Sequence, residues 1–139
     1  MTLLLDTHVL VWLLEDADRI GEFVYEQIRL ASRAGSVWVS AITPWEIGLL
    51  VSKKRLNLSV DVQEWMNLAL GLPGVRLQEL LPEIAVSSTR LPWDIHPDPA
   101  DRILVATARH LGATLVTADE QLLGYGALGY LRCQAAGQN

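Results

Sequence analysis

The chain has 139 residues, half of them hydrophobic, and a formal net charge of −5 at neutral pH. That length matches one domain with a substantial core, and the single cysteine, Cys133, excludes an internal disulfide and any multi-cysteine metal site. The acidic balance argues against a general nucleic-acid-coating protein, which needs Lys and Arg to release counterions, but not against a nuclease whose own carboxylates carry the charge.

Leu3 to Leu14 is broken by Asp6 and His8, is too short to span a bilayer and lacks the basic lead of a secretory signal, so a cytoplasmic protein without membrane contact is expected. Thr2 to Leu5 reads as a strand that ends abruptly at Asp6-Thr7, and Val9 to Leu14 continues with helical spacing. Asp18 opens a second helix whose Ile20, Val24, Ile28 and Ala31 share one face until Gly35 stops it. Val37 to Ser40 is the second strand. Thr43 then serves as N-cap, Pro44 as first helical residue and Glu46 as capping-box acid of a helix that leaves through Lys53-Lys54-Arg55. Val60 to Leu70 forms another amphipathic helix, with Val62, Trp65, Met66 and Ala69 on one side. Val75 to Leu77 is a third strand and Pro82 to Ser88 a short helix.

Pro97-Asp98-Pro99 interrupts regular structure, after which Asp98 caps a helix running to His110 or Leu111. Its apolar stripe of Leu104, Val105, Ala108 and Leu111 begins with Asp101, so an acid is aimed at the rim of the core. Ala113 to Thr117 suits a buried parallel strand, Asp119 stands where the next helix starts, and Gly129 to Arg132 supplies an edge strand. Alternating strands and helices predict an α/β domain over residues 1–133, with a mainly parallel sheet of four to five strands covered on both faces and a frayed tail over 134–139.

Asp6, Glu46, Asp101 and Asp119 each lie just past a strand or in the first turn of a helix. In a parallel sheet those places fall on one edge, outside the carboxyl ends of the strands. Each acid singly has an ordinary explanation as a cap or dipole partner, although Asp6 ends a hydrophobic strand where no cap is obviously needed; together they make a shared acidic site. Crowded carboxylates repel unless a cation sits among them, and oxygen-only donors without zinc-spaced His or Cys select Mg²⁺ or Mn²⁺. The corresponding chemistry is phosphodiester hydrolysis, with the ion on the phosphate and a carboxylate orienting water. Thr7 and Thr117 are placed either to donate hydrogen bonds to these carboxylates or to cap helices. His8 and His96 are candidates for an outer shell, Arg102 for phosphate contact or an ordinary solvated face, and Lys53 to Arg55 for an RNA backbone.

The stretches LLLDTHVLVWLL, SAITPWEIGLLVSKKRL and LPWDIHPDPADRILVATARHLGATLVTADEQL, followed by GYG, resemble in order the PIN-domain ribonucleases, specifically the VapC-type toxins of bacterial type II toxin-antitoxin pairs. The resemblance implies a three-layer α/β/α fold, Mg²⁺- or Mn²⁺-dependent endoribonuclease activity on structured RNA, a homodimer, and inhibition by a cognate antitoxin. By position it makes Asp6, Glu46, Asp101 and Asp119 the catalytic acids, with Asp6 and Asp101 the main metal ligands and Asp98 an extra acid that is a cap or joins the site. The antitoxin is expected over the acidic edge and the Trp-, Leu- and Met-rich surface of the Ile42–Lys54 and Val60–Leu70 helices. Two rivals are a phosphatase or phosphotransferase using Asp6 as phosphoryl acceptor, although Asp6-Thr7-His8 lacks the second Asp of the haloacid-dehalogenase type, and a non-catalytic interaction domain.

Overall fold

Leu3, Leu4 and Leu5 are all fully buried, which requires a strand covered on both faces, and that strand, β1 (Leu3–Leu5), forms the middle of the sheet. This computed structural model describes residues 1–93 and 98–137, and among them five strands pair in parallel. The others are β2 (Val37–Ser40), β3 (Val75–Gln78), β4 (Thr114–Thr117) and β5 (Cys133–Ala135), in the order β3-β2-β1-β4-β5. Leu5 pairs with Val39 on one side and Val116 on the other, so the three central strands end within one residue of one another. The chain winds outward from β1 to β3 and then crosses back past β1 to begin β4. The switch of direction therefore lies between β1 and β4, where parallel sheets open a crevice at their carboxyl ends.

The helices are α1 (Thr7–Glu15), α2 (Glu22–Arg33), α3 (Ile42–Ser52), α4 (Val62–Leu70), α5 (Pro82–Ser88), α6 (Pro99–Leu111) and α7 (Glu120–Ala127). Alternation along β1 assigns them to two layers: Leu3 and Leu5 pack with Val24, Ile47 and Trp65, while Leu4 packs with Ile84, Leu104 and Leu122. The result is the expected α/β/α arrangement, α1 to α4 on one face and α5 to α7 on the other. No helix among the described residues is long and apolar enough to cross a membrane. Before β3 the chain passes so close to α2 that a Cβ on Gly74, whose φ is +77°, would stand 1.7 Å from the Ser32 carbonyl oxygen, so only glycine fits.

Several boundaries differ from the sequence reading, each for a local reason. The second helix starts at Glu22 rather than Asp18, because Gly21 is extended as its N-cap and Ala17–Arg19 forms a separate 3₁₀ turn. Helix α3 begins at Ile42, since the Ser40 hydroxyl accepts the Ile42 N–H and moves the start upstream; Thr43 and Pro44 are therefore inside the helix and Thr43 is not the cap. Asp61 caps α4, so Val60 lies outside it. The edge strand is Cys133–Ala135 instead of Gly129–Arg132, where Gly129 at φ +92° holds a turn. Residues 134–136 are accordingly not a frayed tail: the Ala136 N–H donates to the Thr117 carbonyl, its own carbonyl accepts from Gly21, and its side chain is fully buried.

Candidate active site

No loop separates β1 from α1; Asp6 alone makes the transition. Its backbone is extended, its N–H still donates to Val116 of β4, and its carbonyl accepts the first α1 bond from Leu10. Asp6 is thus the N-cap of α1, a role the sequence reading withheld from it. Its Oδ1 accepts the Thr7 N–H at 2.7 Å, and its Oδ2 accepts the Thr117 hydroxyl at 2.5 Å across the β1–β4 switch. Thr117 Oγ1 in turn accepts the Asp119 N–H at 3.0 Å. One threonine therefore ties the acid after β1 to the backbone of the acid after β4.

A second threonine does the same for α3. Thr7 donates its hydroxyl proton to Glu46 Oε1 at 2.5 Å, and with that proton committed it accepts from the buried Thr43 hydroxyl at 3.2 Å. Thr7 and Thr117 are thus carboxylate donors and not caps. Asp98 and Asp119 are N-caps: Asp98 Oδ1 accepts from Ala100 and Asp101, and Asp119 Oδ1 from Gln121 and Leu122. Asp119 stands before its helix and not within it.

Asp6, Glu46, Asp98, Asp101 and Asp119 line a single cavity of about 380 Å³, together with His8, Trp12 and Ala118. A larger apolar pocket of about 490 Å³ beside Leu13, Tyr25, Ile28 and Leu72 carries no acid; the acids gather in the smaller one. Burial pushes the Asp6 carboxyl up, against the pull of the Thr117 and Thr7 hydrogen bonds. Burial likewise raises Glu46, opposed by the Thr7 bond and reinforced by the charges of Asp6 and Asp98. Asp101 is moved furthest: burial, then Asp98, Asp6, Asp119 and Glu46, lift it from 3.8 to about 7. These carboxylates feel one another, so the cavity is one electrostatic unit.

Such a unit fits a hard divalent cation, because its five acids offer only oxygen donors and a cation would relieve their repulsion. Among the described residues no three His, Cys, Asp or Glu side chains form a ready-made cage. A divalent ion that keeps several waters and takes one or two carboxylates would not need such a cage.

The PIN domain family model matches residues 3–127. Ribonuclease VapC22 of Mycobacterium tuberculosis is 32% identical over 121 residues, covering 87% of this chain and 89% of the relative. The chain belongs to the PIN-domain family, among the VapC-type ribonucleases. Solved structures share the fold: VapBC2 from Rickettsia felis, bound to a DNA fragment from its promoter, aligns with a TM-score of 0.69 at 18% identity, covering 96% of this chain and 98% of that one. FitAcB from Neisseria gonorrhoeae aligns at 0.67 and 22% identity, over 97% and 98%.

In this VapC-type chain the remaining candidates fall into place. His8 is exposed on the cavity wall, whereas His96 and Pro97 lie outside the described residues. Arg102 neither faces the cavity nor projects freely: its Nε donates to the Ser88 carbonyl at 2.9 Å and ties α6 to the end of α5. Sequence reasoning missed Trp12 as a cavity residue and Thr43 as a hydrogen-bond partner. Trp12 was detectable, because it lies one helical turn after His8 on α1.

Asp98 offers a test of the electrostatic unit. Asp98→Ser keeps a capping oxygen but removes the charge that, after burial, acts most on Asp101. The Asp101 carboxyl should then titrate lower by NMR with little change in melting temperature, whereas Asp98→Ala should in addition cost about 1 kcal/mol of stability.

Proposed function

We propose that this VapC-type protein is a Mg²⁺- or Mn²⁺-dependent endoribonuclease toxin that cleaves structured RNA and is silenced by a cognate antitoxin. The observation that carries this reading is the gathering of five carboxylates in one cavity at the sheet switch point, where burial first, and then the charges of Asp98, Asp6, Asp119 and Glu46, lift Asp101 to about 7. Asp6 and Asp101 would hold the ion, which when bound supplies Lewis acidity at the scissile phosphodiester. Glu46, held by Thr7, and Asp119, fixed by its cap bonds, are placed to orient the attacking water and take its proton. The phosphatase alternative is disfavoured because Asp6-Thr7-His8 lacks the second Asp of the haloacid-dehalogenase type.

The antitoxin reading rests on α3 as well as on the family. This helix is apolar nearly all round, yet only Thr43 and Ile47 are buried; Trp45 is 58% exposed, and Leu68 on neighbouring α4 is 57% exposed. An unpartnered apolar surface beside an acidic cavity suits a partner that lays an apolar segment over α3 and α4 and presents Arg or Lys to the carboxylates. RNA, an antitoxin and a second copy of the chain are the partners of this reading.

The test is cleavage of RNA by purified protein with Mg²⁺, Mn²⁺ or EDTA, followed by sequencing of RNA ends after induced expression. Cleavage is expected with either ion and absent in EDTA. Undiminished cleavage in EDTA by repurified protein overturns the metal mechanism, and no cleavage with either ion overturns the nuclease. A co-expressed antitoxin should slow amide exchange in α3 and α4; protection of RNA without that effect would place the docking elsewhere.

A further inference from the structure

An all-carboxylate cavity, even with its charge offset by an ion, can grip only the phosphate being cut. The rest of the RNA needs other contacts, and the described wall offers one group of residues suited to it. His8 and Trp12 stand one turn apart on the cavity side of α1, their ring centroids 6.5 Å apart and inclined at 53°. The guanidinium of Arg19, from the 3₁₀ turn after α1, lies 4.6 Å from the Trp12 ring centroid. Arg19 is exposed, forms no ion pair among the described residues and does not itself line the cavity, so its charge stands one side chain beyond the lining, over Trp12. The buried core residues of α1 include Val9, Leu10 and Val11, with Trp12, Leu13 and Leu14 packed at their edge, whereas His8 is exposed.

From Asp6 outward this wall runs carboxylate, imidazole, indole, guanidinium. The span from Asp6 to Trp12 is six residues of helix, about 9 Å at 1.5 Å per residue. The order matches what a nucleotide step presents: a phosphate at the metal site, a base whose face any aromatic ring can stack on, then the next phosphate. We infer that His8, Trp12 and Arg19 form a subsite for the nucleotide flanking the scissile phosphate, His8 and Trp12 taking its base and Arg19 its outer phosphate. This rests on the ribonuclease reading, and it makes the three residues positioning groups for substrate while the acids perform the chemistry.

The test measures binding by fluorescence anisotropy, with Ca²⁺ replacing Mg²⁺ to spare the probes. The probes are labelled single-stranded oligoadenylate and an abasic ribose-phosphate oligomer of equal length. Wild type should prefer oligoadenylate by about tenfold, the equivalent of one stacked base. His8→Ala and Trp12→Leu should lose that preference; because Trp12 also touches the core, the surface variant His8→Ala decides if Trp12→Leu melts early. Arg19→Ala should weaken both probes and reduce the slope of log affinity against log salt by about one, while Arg33→Ala, the same charge change elsewhere, should do neither. Equal binding of the two probes by wild type, or a preference kept by His8→Ala, overturns the subsite and leaves RNA cleavage in Mg²⁺ standing. Binding of neither probe together with no cleavage overturns the ribonuclease reading, and the subsite with it.

Discussion

Asp101→Asn is expected to lower RNA cleavage about a thousandfold, the kinetic equivalent of roughly 4 kcal/mol of lost charge stabilisation, and yet to make the metal-free protein more stable. The stability effect follows from the direction of the pKa shift. A carboxyl whose folded pKa is raised binds its proton more tightly in the native state than in the unfolded chain. Its contribution is therefore fully present below the unfolded value of 3.8 and is lost as pH rises through about 7. In EDTA the wild type should lose stability across that window, and the asparagine variant, left with only the raised Asp6 and Glu46 carboxyls, should lose less. After discounting for partial solvent exposure the difference at pH 8 is about 1–2 kcal/mol, or roughly 3–10 °C in melting temperature. Saturating Mg²⁺ should reverse the order, because the ion stabilises the native wild type in proportion to its affinity and the variant has lost a ligand. Ion affinity should itself rise with pH up to about 7, since Asp101 must release its proton to bind. Melts at several pH values, each with EDTA and with Mg²⁺, measure all of this. If the variant were less stable than wild type in both buffers at pH 8, Asp101 would be an ordinary first-turn helix acid and the cavity would not be an ion site.

The layers of the fold were legible because their signals are local: the three-leucine strand, the periodic faces of α2, α4 and α6, and the Asp98-Pro99 helix start each depend on a few neighbouring residues. The placement of the four acids at one edge was legible for the same reason, since parallel strands put their carboxyl ends together once their direction is known. What stayed hidden is what distant residues do to each other. Thr43 has the spacing of a capping box with Glu46, but tertiary contact diverts both side chains to Thr7, thirty-six residues or more away in sequence, while Ser40 satisfies the helix start. The strand at Cys133–Ala135 has little β character of its own; pairing with Leu115, Val116 and Thr117 imposes it, and the same pairing buries Ala136. Asp6 was read as an acid with no cap to make, because nothing local indicates that α1 starts without a connecting loop.

The second large effect is expected at Thr117, which reaches the chemistry only through Asp6 and Asp119. Its hydroxyl donates to Asp6 Oδ2 and accepts from the Asp119 N–H, and it is fully buried. Thr117→Val keeps the shape and β-branching that a buried strand end requires, but it removes both bonds. Asp6 loses the strongest of the influences that hold its pKa down against burial, so its carboxyl should titrate higher still and compete less well for a cation. The Asp119 N–H is left without its acceptor, and the α7 start is free to drift from the β1–β4 crevice. Loss of a hydrogen bond that orients a metal-ligating carboxylate typically costs 10–100-fold in metal affinity or activity, so Mg²⁺ affinity should fall by roughly that factor. Because the weakness lies in ion binding, raising Mg²⁺ should restore most of the cleavage rate in Thr117→Val, whereas no Mg²⁺ concentration should rescue Asp101→Asn. The measurement is the cleavage rate of both variants across a Mg²⁺ titration, with isothermal calorimetry for affinity. A Thr117→Val protein with wild-type Mg²⁺ affinity would mean that Asp6 does not hold the ion, and the assignment of the site to the crevice between β1 and β4 would have to be abandoned.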